Sequence, residues 1–189
     1  AVHYARLARW LLGYHAVMGE KSSQRTSRLL GIRDACMADN LAYILSCERG
    51  RGRILAYAHN SHLQKGRMQW QFGDELFTWW PAGSHLKEIL GEWYASIGSA
   101  VGVSDANGIG RPEAGTLEAL LTAAPGPCRF ISTRRVQELS ASQAALPVRS
   151  ARTKNPTYFP LTAQSLTDFD WLVALDDLGY SRGGPRLDR

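Results

Sequence analysis

From His3 to Met18 the apolar residues Leu7, Trp10, Leu11, Tyr14 and Met18 recur at steps of three and four, the spacing of one helical face. Glu20 to Thr26 is polar and loop-like. The same period then returns, with Leu30, Met37, Leu41, Ile44 and Leu45 predicting a second helix from about Thr26 to Cys47. Arg33, Met37 and Asn40 share one side of that helix, and Asp34 lies on the same side as Leu41.

Beyond Arg49-Gly-Arg-Gly-Arg53 the pattern changes to short apolar runs. Ile54 to Ala58 reads as an opening strand, Tyr94 to Val101 as a second, Cys128 to Ser132 as a third and Phe169 to Leu175 as a fourth. Helical stretches alternate with them. Ser84 to Leu90 is expected to be capped by Ser84 and stopped by Gly91; Thr116 to Ala123 is broken by Pro125-Gly-Pro127; Arg135 to about Ala145 follows the third strand. This alternation predicts an α/β fold with a largely parallel sheet and flanking helices, as one unit over residues 1–189.

The connecting segments differ in character. Gln64 to Pro81 is polar and aromatic, a loop or hairpin holding Trp70, Trp79 and Trp80, and reads equally as a flap over core or as a wall for an apolar ligand. Gly102 to Gly115 is rich in Gly, Asp and Asn, Pro147 to Pro160 is a basic loop, and a polar tail follows Gly183-Gly-Pro185.

Composition narrows the class. An apolar fraction of 44% in 189 residues supports a sizeable core, and a net charge of +5 carried by scattered Lys and Arg reads as solvated surface, with no nucleic-acid partner expected. Cys36, Cys47 and Cys128 form no C-x-x-C pair, which points to free, mostly buried thiols in a reducing cytoplasm. No apolar run reaches the ~18 residues of a membrane helix, so no membrane association is expected. The first residue is Ala1 rather than Met, as in a chain cut from something longer.

The strongest candidate for chemistry is the run ending His59-Asn-Ser-His62, two imidazoles and an amide at the carboxyl end of an expected strand, where open α/β sheets bind ligands. Ordinary loop residues are the competing interpretation. No G-x-S-x-G elbow, nucleotide-binding glycine motif or H-E-x-x-H is present, and no cysteine is placed as a nucleophile. General acid/base or electrostatic action on water by paired imidazoles remains.

Three segments together resemble the erythromycin esterase family. They are Arg33-Asp-Ala-Cys-Met-Ala-Asp-Asn40, the apolar run into His59-Asn-Ser-His62, and Leu86 to Tyr94 followed by Ile97-Gly98. The resemblance extends over about Ser27 to Tyr180 and implies the carboxyl-terminal half of that family's domain. It further implies an ester or lactone hydrolase, macrolide lactones of antibiotics being the best-known substrates, with no cofactor and no covalent intermediate. His59 and His62 would orient the water or stabilise the oxyanion, Asn60 would hold the loop, and Arg33, Asp34 and Asn40 would buttress the site from the helix.

The departures are also specific. The family's general-base histidine and its glutamate belong to a preceding half; Gly19-Glu20-Lys21 is followed by no such histidine. A metal-dependent hydrolase using His59 and His62 as ligands, and a non-catalytic interaction module docking through the Trp-rich segment, are the alternatives. A half-sheet cut at Ala1 would expose an unpaired edge, which favours homo-oligomers.

Overall fold

The structure is a computed structural model and describes residues 2–139, 146–150, 155 and 158–179. The chain divides into two compact units, residues 1–96 with 167–169, and residues 97–166 with 170–189.

In the first unit, α1 (Val2–Met18) and α2 (Arg25–Cys47) match the predicted helices to within a residue or so. On α2, Asp34 and Ala38 are one turn apart and both buried, so the stripe that the period places inward carries a carboxylate beside a methyl group. Ala38 packs with Ala82 and Leu86 of α4 (Ala82–Leu90), and Met37, Leu41, Leu90 and Tyr94 close around them. Gly91, at φ 55°, ends α4 as its sequence position indicates. The start differs: Pro81 occupies the N-cap, and Ser84, inside the helix, donates to the Lys65 carbonyl at 2.6 Å.

The aromatic segment is a hairpin of β1 (Met68–Phe72) and β2 (Glu75–Trp79) joined by Gly73-Asp74. Gly73 has φ 58°, a conformation that two-residue hairpin turns demand and glycine adopts without penalty. Met68, Phe77 and Trp79 are buried, and Ser27 Oγ on α2 accepts from the Thr78 N–H at 3.1 Å. Trp80 stays half exposed.

The expected opening strand is not a strand. Residues 54–58 join no ladder, and Leu55 and Tyr57 are 93% and 100% exposed. An apolar run becomes a strand only where a neighbour takes its backbone groups, and among the described residues none does. The two histidines therefore arrive by way of a loop and the short helix α3 (Asn60–Leu63).

The second unit holds the sheet, in the order β3 (Ile97–Val103), β5 (Trp171–Asp177), β4 (Cys128–Ser132). β3 runs parallel to β5, from Ile97 opposite Trp171 to Val103 opposite Asp177, while β4 pairs antiparallel to β5. The α/β class holds, but a parallel sheet describes the first ladder only. β4 matches its predicted bounds, whereas β3 and β5 each lie two or three residues later than the apolar runs suggest. α5 (Leu117–Thr122), capped by Thr116 Oγ1 on the Ala119 N–H, buries Leu117 and Leu121 in this unit along with Ala100, Leu172 and Ala174 of the sheet. Ile97, Phe130 and Trp171 are exposed. α6 (Thr133–Leu139) starts two residues before its predicted position, and its expected continuation to Ala145 lies outside the described residues. α7 (Ser165–Asp168) precedes β5.

Candidate active site

His59 and His62 lie at the two ends of one helical turn. His59 is the N-cap of α3: its Nδ1 accepts from the Ser61 N–H at 3.2 Å and stands 2.8 Å from Ser61 Oγ. An imidazole nitrogen that accepts from a backbone N–H carries no proton, so in neutral His59 the proton is on Nε2. The pKa of His59 is pushed below its ordinary 6.5, first by the protein packed against the ring and second by the nearby His62, although the residue keeps substantial contact with solvent.

His62 has the opposite arrangement. Its Nδ1 is 2.8 Å from Oδ1 of Asp34, which is wholly buried on α2. Its Nε2 lies 3.4 Å from Nη2 of Arg33. A guanidinium only donates, so Nε2 is the acceptor and the proton sits on Nδ1, facing the carboxylate. The two imidazoles thus hold complementary tautomers, a donor at Nε2 of His59 and an acceptor at Nε2 of His62.

Asp34 is held by more than His62. Trp79 Nε1 donates to Oδ2 at 2.9 Å, and the backbone N–H of Ala82, at the start of α4, donates to Oδ1 at 3.0 Å. With His62, three donors from three segments converge on one buried carboxylate, which is how a charged group is kept in a core. The far end of α3 is also fixed. Tyr94 Oη donates to the Leu63 carbonyl at 2.6 Å, and the Gln64 N–H closes on the Asn60 carbonyl at 3.0 Å. Gly83 lies so close to the Leu63 and Gln64 carbonyls that a Cβ would collide with both.

Four of the residues singled out from sequence therefore come together: Arg33, Asp34, His59 and His62. Asn60 opens α3 and its backbone closes the turn. Asn40 is on α2, half-buried, and bonds to neither histidine. Trp79, the Ala82 N–H, Ser61 and Tyr94 are participants that sequence reasoning did not assign. A buried indole N–H needs a partner, which was the one signal available for Trp79. Among the described residues no group of three or more His, Cys, Asp or Glu side chains is arranged to hold a metal ion, and no helix is long and apolar enough to cross a membrane.

The sequence model of the family described as erythromycin esterase matches residues 1–178, taking in α1 as well as the three motif segments. Erythromycin esterase type II of Escherichia coli is 30% identical over 69 residues, which is 36% of this chain and 16% of that protein. A solved protein from Bacillus cereus has a TM-score of 0.54 at 18% identity, over 81% of this chain and 40% of its own. A succinoglycan biosynthesis protein has 0.57 at 17%, over 87% and 42%. A mutant of the erythromycin esterase EreC in its open conformation has 0.51 at 19%, over 78% and 37%. Identities this low establish a shared fold. The chain spans less than half the length of each of these solved relatives.

Proposed function

The chain belongs to the erythromycin esterase family, and from that premise we propose that it serves a hydrolase that opens an ester or lactone by direct attack of water, with His59 and His62 as an assisting pair. The observation that carries this reading is the set of hydrogen-bond partners around the two rings, which assigns them complementary tautomers when neutral. Nε2 of His62, its partner Nδ1–H held by Asp34 at 2.8 Å, can accept a hydrogen bond from the attacking water and so aim its lone pair once the Arg33 N–H, 3.4 Å away, turns from it to the substrate oxygen. Nε2–H of His59 can donate to the oxygen on which negative charge develops, and the Arg33 guanidinium adds positive charge beside it.

Water adds to the acyl carbon as the carbonyl π pair moves onto oxygen. A proton leaves the water for a base, and collapse of the adduct expels the alcohol oxygen, which takes up a proton. The family resemblance assigns the base to a histidine other than these two. Macrolide lactones are the first substrates to test, followed by simpler esters. Cys36, Cys47 and Cys128 are free, though Cys47 and Cys128 are exposed and Cys36 only half-buried where the sequence predicts mostly buried thiols, and free thiols support assignment to a reducing cytoplasm.

The test is hydrolysis of a panel of macrolides and simple esters by the protein as encoded, with His59→Ala and His62→Ala beside it. Each variant should lose roughly tenfold or more in kcat/KM. Rates equal to wild type in both would remove the pair from the reaction.

A further inference from the structure

We propose that Trp79 is a positioning residue whose indole N–H orients the Asp34 carboxylate and thereby fixes the proton of His62 on Nδ1. This deepens the reading of His62 given above and rests on it only for the catalytic consequence.

A carboxylate on a short side chain can rotate about its last bond, and a single hydrogen bond leaves that rotation open. Here both oxygens are pinned. Oδ2 takes Trp79 Nε1 at 2.9 Å and Oδ1 takes the Ala82 N–H at 3.0 Å, so the plane of the group is set before the histidine is considered. The remaining lone pair of Oδ1 then faces Nδ1 of His62 at 2.8 Å. A buried indole could be satisfied by any carbonyl. That it reaches instead for a carboxylate already shared with an imidazole is what distinguishes this contact from core packing.

The donor is itself held still. Trp79 is 5% exposed and pairs with Met68 across the hairpin, and the neighbouring Thr78 N–H is bonded to Ser27 Oγ on the same helix that carries Asp34. The Trp-rich segment thereby gains a role besides covering the core. It delivers one rigid N–H to the underside of the site, 45 residues along the chain from the group it orients.

Two substitutions separate donation from packing. Trp79→Phe keeps most of the ring volume and loses the N–H. Trp79→His loses the benzo ring but keeps a five-membered ring whose Nε2–H occupies the place of indole Nε1. Nitrogen-15 chemical shifts of the His62 ring, recorded where the imidazole is neutral, report its tautomer directly. Wild type and Trp79→His should show the proton on Nδ1, while Trp79→Phe should show the two nitrogens shifted toward each other as the tautomers mix. In an ester that wild type hydrolyses, Trp79→Phe should fall about tenfold in kcat below Trp79→His.

A Trp79→Phe protein with an unchanged His62 tautomer would overturn the proposal, whatever its melting temperature. If Trp79→Phe does not fold, loss of the Nδ1–H tautomer in folded Trp79→His overturns it and retention supports it. Absence of ester hydrolysis in wild type would strike at the proposed function alone, because the tautomer is read without substrate.

Discussion

Nδ1 of His62 stands 2.8 Å from Oδ1 of Asp34, so a partly exposed imidazole is fastened to a carboxylate with no solvent contact at all. The pairing joins two of the three motif segments, and the third supplies Tyr94, whose hydroxyl holds the Leu63 carbonyl at the end of the same helical turn.

Asp34→Asn tests the fastening. An amide offers one accepting oxygen where the carboxylate offers two, and its NH2 would face one of the donors that now converge there. Leaving a buried donor unsatisfied costs about 1–3 kcal/mol, so urea unfolding should show a loss of that order. Hydrolysis should fall with it by about tenfold or more, as the His62 proton is no longer held on Nδ1. Wild-type stability together with a wild-type rate would mean that Asp34 neither anchors the turn nor orients the ring.

The helical part of this arrangement was legible because it obeys a period. Asp34, Ala38 and Leu41 follow one inward stripe, and the burial of the first two is what that stripe requires. The histidine pair was legible as a motif, but the strand assigned to deliver it was not real. Residues 54–58 are apolar enough for a strand, and pairing, which the run itself does not encode, decided otherwise. Ser84 misled for a related reason. Its type suits a cap, yet its hydroxyl is used on Lys65 while Pro81 starts the helix. The contact between Trp79 and Asp34 has no local signature, since only the docking of the hairpin on α2 brings those positions together.

Gly83→Ala tests how α3 is seated. The glycine has an ordinary φ, so the objection to a side chain is space alone: an added Cβ would strike the Leu63 and Gln64 carbonyls, which are backbone and cannot rotate aside. Overpacking of this kind costs about 1–3 kcal/mol. The variant should lower the unfolding midpoint correspondingly and disturb the Tyr94 bond to Leu63. Gly13→Ala, where nothing lies within 4 Å, is the matched control and should match or exceed wild-type stability. Equal midpoints in the two variants would contradict the close approach.

Acid should weaken the molecule partly through His59. Its folded pKa lies below 6.5, so the unfolded chain takes up the proton first as pH falls. The contribution to stability is therefore complete above about pH 6.5 and is lost as pH falls through the folded value, the sign expected of a depressed group. Protonation of Nδ1 would also cost α3 its cap on the Ser61 N–H. Solvent around the ring keeps the slope shallow. Urea midpoints measured from about pH 7.5 down to about pH 5 should fall less steeply in His59→Gln than in wild type; parallel curves would exclude this origin.

In the second unit the sharpest prediction concerns Arg149, which is 1% exposed. Its Nη1 donates to the Val101 carbonyl at 2.6 Å and to Tyr158 Oη at 3.0 Å, and its Nη2 donates to the carbonyls of Gly102, at 2.7 Å, and Gly110. Tyr158 passes the chain of bonds on to Glu118 Oε1 at 2.9 Å, an oxygen that also accepts from the Leu161 N–H. Burial, and then the adjacent Glu118, push the phenol well above its ordinary pKa of 10, so it remains a hydrogen-bond donor. One planar fork thus ties the end of β3 to the following loop. Lysine carries the same charge on a single nitrogen and cannot reach three carbonyls and a hydroxyl at once. Arg149→Lys should therefore cost nearly as much as Arg149→Met, each on the order of 3 kcal/mol in urea unfolding. If the lysine variant retains wild-type stability, charge rather than the geometry of the fork is what this unit requires.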